Sequence, residues 1–181
     1  MPQSRLRELI QDVYSTHIEF HKEISKGQRW QAKGIERKEI VVARNRFKAA
    51  LDLLFTAQLD PIRASFLADA PSSVDKVIDF LKVDIPAFRC GYEKEWYLSK
   101  LKSIPLTLMQ QDRLKRIALD LVSKPHYRRE LSDWGRLMIV LADETFLARL
   151  RTLAESSEHH VQQHALRMLR TILDNRLDLS V

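Results

Sequence analysis

Of the 181 residues, one is cysteine, four are glycine and six are proline. The lone Cys90 cannot close an internal disulfide, which excludes the disulfide-stapled secreted scaffolds. Gly27, Gly34, Gly91 and Gly135 stand too far apart to build a phosphate-cradling loop or a dinucleotide fingerprint, and no Gly-x-Ser-x-Gly nucleophile turn occurs. No apolar run reaches the ~18 residues of a membrane span, and the opening MPQSRLRELIQDV lacks the apolar core of a signal peptide. These absences predict a cytoplasmic protein with no membrane partner.

What is present belongs to an ordered globular chain. Hydrophobic residues make up 45% and charged ones 30%, a balance unlike that of disordered tails. A chain of this length buries roughly 70% of its unfolded surface, enough for a single domain over 1–181. The net charge of +6 is unevenly placed: residues 1–48 hold 11 Lys and Arg against 6 Asp and Glu, whereas residues 49–91 hold 4 against 6. An anionic partner at the N-terminal end is one consequence to weigh.

Helical periodicity runs through most of the chain. Leu6, Leu9, Ile10, Val13, Tyr14, His17, Ile18, His21 and Ile24 line one stripe of a first helix, with Lys26-Gly27 as its expected end. A second helix is expected from about Ile35 to Leu59 on Ile40, Ala43, Phe47, Ala50, Leu51, Leu54 and Phe55. The helical spacing outweighs the β-branched run Ile40-Val41-Val42, and no strand is predicted. Two long helices joined by a short link read as a hairpin over 1–59. Asp60-Pro61 then reads as an N-cap followed by a first-turn proline, and Ser72-Ser73-Val74-Asp75 as a capping box ahead of Val74, Val77, Ile78 and Leu81. Residues 60–91 are expected as short helices and an irregular turn, with Pro86 breaking a helix and Gly91 ending whatever precedes it.

The last stretch, 92–181, repeats weakly. Leu131, Gly135, Met138, Ile139 and Ala142 match Val161, Ala165, Met168, Leu169 and Ile172 at an offset of 30. Leu114, Ile117, Ala118 and Leu121 match Leu147, Leu150, Arg151 and Ala154 at an offset of 33. Pairs of amphipathic helices that return with a small residue at the point of approach predict stacked helix pairs, an all-α solenoid-like arrangement. The stretch from Val161 to Ile172 (VQQHALRMLRTI) resembles the inner helix of a HEAT-type repeat, with Gln162 standing where that family usually has Arg or Lys. The resemblance covers 127–175 and extends in part to 92–126. It implies a right-handed stack of helix pairs that serves as a binding surface rather than as an enzyme, with Arg128, Arg136, Gln162, Gln163 and Arg167 on the face of the second helices.

Three other groups of residues bear on function. His160 and His164, like His17 and His21, stand one helical turn apart and could share a metal. Val161 and Ile18 occupy the place where a helical zinc-protease motif needs Glu, and no Glu stands three residues before a His, so packed or surface imidazoles are the stronger reading. Between Lys26 and Lys48 the cations Lys26, Arg29, Lys33, Arg37, Lys38, Arg44, Arg46 and Lys48 surround Trp30. This is the composition that neutralises phosphates and stacks a base, and equally that of a solvated helix face. Tyr92, Trp96 and Tyr97 offer an aromatic anchor for a partner or a piece of core, while Glu93, Lys94 and Glu95 read as solvated. Cys90 has no His or Asp close in sequence to activate it. No catalytic set or cofactor motif converges, so the expected function is a non-enzymatic module for a protein partner, with nucleic-acid binding through residues 26–48 as the alternative.

Overall fold

The computed structural model describes residues 3–31, 38–83, 88–125 and 130–177. The chain is all-α: the described residues hold helices α1 (Gln3–Gln31), α2 (Lys38–Leu54), α3 (Asp60–Ala68), α4 (Ala70–Lys82), α5 (Phe88–Leu101), α6 (Leu108–Val122), α7 (Leu131–Leu141), α8 (Glu144–Ala154) and α9 (His159–Leu177), and no strand. They form two compact units, the first within Met1–Asp69 and the second made of Ala70–Val83 with the chain within Ala87–Val181.

In the first unit α1 lies against α2. Leu9 and Val13 are buried there, as are Ile40, Ala43, Ala50 and Leu54 of α2. His17 and Phe20 meet Phe47 at ring-centroid distances of 5.2 and 6.1 Å, and Arg46 donates to Glu19 at 3.1 Å. The apolar stripe expected on α1 is wider than the contact that covers it. Leu9, Val13, His17 and Phe20 fall within one sector of the helix, whereas Tyr14 and Ile18, about 100° further round, are exposed.

Two expected helix ends are continuous helix. α1 passes through Gly27 to Gln31, since a glycine inside a helix costs only about 1 kcal/mol against alanine and does not by itself stop it. The chain also stays helical from α2 into α3: Leu54, Leu59 and Asp60 all have right-handed helical dihedrals, and Asp60 caps nothing with its side chain. Pro61 is accommodated by a π-helical turn, Phe55–Leu59, in which the Asp60 N–H donates to the Phe55 carbonyl. Widening the ladder one residue before the proline makes room for a ring that lacks a donor and would press on the carbonyl four residues back.

In the second unit alternate helices pack on one another. α4 contacts α6 and α6 contacts α8, while α5 contacts α7 and α7 contacts α9; α6 also packs on α7, and α8 on α9. The repeated positions are buried together: Leu131 and Val161, Met138 and Met168, Ala142 and Ile172, with Gly135 and Ala165. A Cβ on Gly135 would stand 3.0 Å from Thr171 Cγ2, so the missing side chain sets how closely α7 approaches α9. Ile117, Ile139 and Ala154 are half-buried, and Arg151 is exposed where its counterpart Ala118 is buried.

α4 begins at Ala70, ahead of the capping box expected at Ser72, and Ser73 is buried in its first turns among Val74, Val77, Ile78 and Leu81. Gly91 lies inside α5, with open space where a Cβ would stand, and ends nothing. A capping box does form at the start of α6, where Thr107 and Gln110 each bond the other's backbone N–H, at 3.3 and 3.1 Å.

Candidate functional site

Of the residues expected to bind a protein, those the structure describes lie on α5, α7 and α9. Arg136 and Val140 follow Ser132 at one-turn spacing on α7, and both are exposed. Arg167 of α9 reaches across to donate to Ser132 Oγ at 2.8 Å, which joins the outer faces of the two helices. Arg136 is held by Asp133 at 3.0 Å, and Gln163 contacts the His159 ring at 2.8 Å. Gln162 is half-buried, and Arg128 lies outside the described residues. On the outward side of α9, Leu166 and Leu173 are 50% and 40% exposed, with the exposed Arg170 between them. These leucines were missed in the sequence because their neighbours Ala165, Met168, Leu169 and Ile172 form the buried stripe and absorb the helical pattern.

On α5, Tyr92 and Trp96 share a face, Tyr92 45% exposed and Trp96 half-buried with the Lys100 ammonium 5.9 Å from its ring. Tyr97 is fully buried against Phe80. Lys94, expected in solvent, is buried as well. Its Nζ lies 3.8 Å from the buried Glu130 carboxylate, donates to the Val83 carbonyl and stands 6.0 Å from the Phe80 ring. A cation with such partners is retained inside the unit, so the sequence around it looked solvated only because its acid partner stands 36 residues away.

Among the described residues, two grooves lie along the opposite layer, α4, α6 and α8. The larger, about 420 Å³, is lined by Asp112, Lys115, Arg116, Leu119, Asp143, Phe146 and Arg149. Lys115 bridges Asp112 at 2.8 Å and Asp143 at 2.6 Å. The bonds from Asp112 and Asp143 hold the Lys115 ammonium above its ordinary range, and the Lys115 bond, followed by the Phe146 N–H, holds the Asp143 carboxyl below its own. Asp143 thus caps α8 and ties it to α6. The smaller groove, about 170 Å³, lies between α4 and α6 and is lined in part by Lys82, Arg113, Arg116, Ile117 and Asp120. There Arg113 is taken up by Asp75 and Asp79.

The imidazole pairs stand apart from any cluster of acids. His160 and His164 have centroids 6.3 Å apart; His160 lies 3.4 Å from Glu158, and His164 Nδ1 lies 3.3 Å from the Val122 carbonyl. His17 and His21 are 4.3 Å apart, and burial, followed by the charge of His21, holds His17 below its ordinary pKa. Among the described residues no three His, Cys, Asp or Glu side chains converge as a metal site would need.

Of the residues expected to contact nucleic acid, Lys26, Lys38, Arg44 and Lys48 are exposed, Arg44 and Lys48 one turn apart on α2. Lys26 is paired with Glu23, and Arg46 beside them with Glu19. The side chains of Arg29, Trp30, Lys33 and Arg37 lie outside the described residues. No helix among the described residues is long and apolar enough to cross a membrane. Compared with protein families, with curated proteins and with solved structures, the chain gives no match.

Proposed function

We propose that this chain is a non-enzymatic helical binding module whose second unit docks a protein partner on the outer face of α7 and α9, with Tyr92 and Trp96 of α5 as an aromatic anchor. The observation that supports it is the mixture on that face: Val140, Leu166 and Leu173 exposed among Arg136, Arg167 and Arg170. Aromatic, arginine and aliphatic side chains at a surface are the composition from which interface hot spots are built. The packing of first helices on first and second on second, with small residues at 135 and 165, supports the stacked-pair reading and the resemblance to HEAT-type repeats. A cytoplasmic setting accords with the single, buried Cys90.

The test uses the full chain as bait, with Tyr92→Ala and Leu166→Asp variants beside it after nuclease treatment. The reading expects a near-stoichiometric protein partner that both variants lose while keeping their helical content. Equal recovery by all three would sink this face. The alternative reading, nucleic-acid binding on the first unit, draws on Arg44 and Lys48; it expects polyanion retention that Arg44→Glu with Lys48→Glu removes.

A further inference from the structure

We infer that the grooves of α4, α6 and α8 bind an extended acidic peptide laid across the three helices, with a carboxylate at every third residue. This rests on the reading of the second unit as a protein-binding module and adds a partner class and a second site, on the layer opposite α7 and α9.

The cations lining these grooves sort into two kinds. Lys115 and Arg113 are consumed internally, the first by Asp112 and Asp143 and the second by Asp75 and Asp79. Lys82, Arg116 and Arg149 have no carboxylate partner among the described residues, although they line the same two grooves. They stand one to a helix, on α4, α6 and α8. Arg116 borders both grooves, and among the described residues its guanidinium Nε donates to the Asp112 carbonyl of its own helix. Arg116 and Arg149 also differ by 33, the spacing that relates the first helices of successive pairs.

Neighbouring helices pack about 10 Å apart, and a peptide extended in the polyproline II conformation advances about 3.1 Å per residue and returns to the same face at every third residue. Three residues of extended peptide therefore carry it from one helix to the next, so acids at positions 1, 4 and 7 meet Lys82, Arg116 and Arg149 in turn. Leu119 and Phe146 in one groove and Ile78 and Ile117 in the other give intervening apolar side chains a floor. One groove carboxylate favours a peptide over a polyphosphate: Asp112 and Asp143 are taken up by Lys115, but Asp120 borders the smaller groove with no cation partner among the described residues. A strand with a phosphate on every nucleotide sets like charge against it, whereas a peptide with an acid at every third residue can present a backbone N–H donor there.

The probe is a fluorescein-labelled nine-residue peptide with Glu at positions 1, 4 and 7 and Val or Leu between, titrated by anisotropy with the full chain at two salt concentrations. We expect saturable, salt-weakened binding that falls at least tenfold in Arg116→Glu, falls less in Lys82→Glu and Arg149→Glu, and is unchanged in Tyr92→Ala. A peptide with Lys at position 4 should recover binding to Arg116→Glu, which a fold defect could not produce. Equal binding of a scrambled peptide of the same composition, absence of saturation, or tighter binding of single-stranded RNA through the same three cations would each overturn the inference. If the peptide fails while Leu166→Asp still abolishes partner capture, the grooves are wrong and the α7–α9 face stands. If the peptide binds as expected while Leu166→Asp and Tyr92→Ala capture as the wild type does, the reverse holds.

Discussion

Lys94 and Glu130 face each other at 3.8 Å inside the second unit, with their side chains 5% and 9% exposed. The pair joins α5 to the residue that precedes α7, and through the Val83 carbonyl it also holds the end of α4. Removing one partner leaves a buried charge uncompensated. Lys94→Met should therefore cost about 3–5 kcal/mol in urea unfolding, and the double variant Lys94→Met with Glu130→Leu should recover much of it. A single-variant loss under 1 kcal/mol would show that the pair is hydrated in solution.

The approach of α7 to α9 gives a second expectation. Gly135→Ala gains up to about 1 kcal/mol of helix propensity but drives a Cβ to 3.0 Å from Thr171 Cγ2. Thr171 is held by its own hydroxyl bond to the Arg167 carbonyl, so it yields poorly. Gly135→Ala should be destabilising by roughly 1–2 kcal/mol, with Thr171→Ala partly restoring it in the double variant. A stabilised single variant would contradict the close approach.

The bridge between α6 and α8 sets a pH dependence. Asp143 is held below its ordinary value of 3.8, so its contribution is present above that pH and is lost as pH falls through the lower value of the folded state. Lys115 is held above 10.5, so its contribution is present below that pH and is lost as pH rises through the folded value. Asp143→Asn keeps an N-cap and removes the charge. Its melting temperature should fall below the wild type's at pH 7, and the gap should narrow as pH falls below 3.8. A gap that stays constant as pH falls below 3.8 would place the effect in the cap instead.

His17 makes the opposite end of the chain sensitive to milder acid. Its folded pKa is lowered from 6.5 by burial against Phe47 and then by His21, so the unfolded chain binds the proton more readily. The α1–α2 packing should weaken as pH falls from about 7 to 5, and His17→Phe should flatten that slope. A proton NMR titration placing His17 at or above 6.5 would remove the basis for this.

Class and periodicity were legible in the sequence; boundaries were not. Val74, Val77, Ile78 and Leu81, and the matched pairs from Leu131 to Ile172 apart from the half-buried Ile139, are buried where their spacing places them, because a 3.6-residue repeat needs only local information. Asp60-Pro61 misled because a cap signal describes an isolated helix, and here a π-helical turn lets the helix run through it. Lys94 misled because its acid partner is brought close only by the fold. The candidate surfaces show the same division. Tyr92, Arg136 and Arg167 could be named from composition and pattern, whereas Lys82, Arg116 and Arg149 stand out only once Lys115 and Arg113 are seen to be occupied.

The measurement that bears most directly on the central proposal is quantitative capture on the full chain after nuclease treatment, comparing wild type with Leu166→Asp at matched helical content. One protein near equimolar with the bait is expected, lost at least tenfold by the variant. The same protein held equally by both, or retention of nucleic acid alone that Arg44→Glu with Lys48→Glu abolishes, would contradict it.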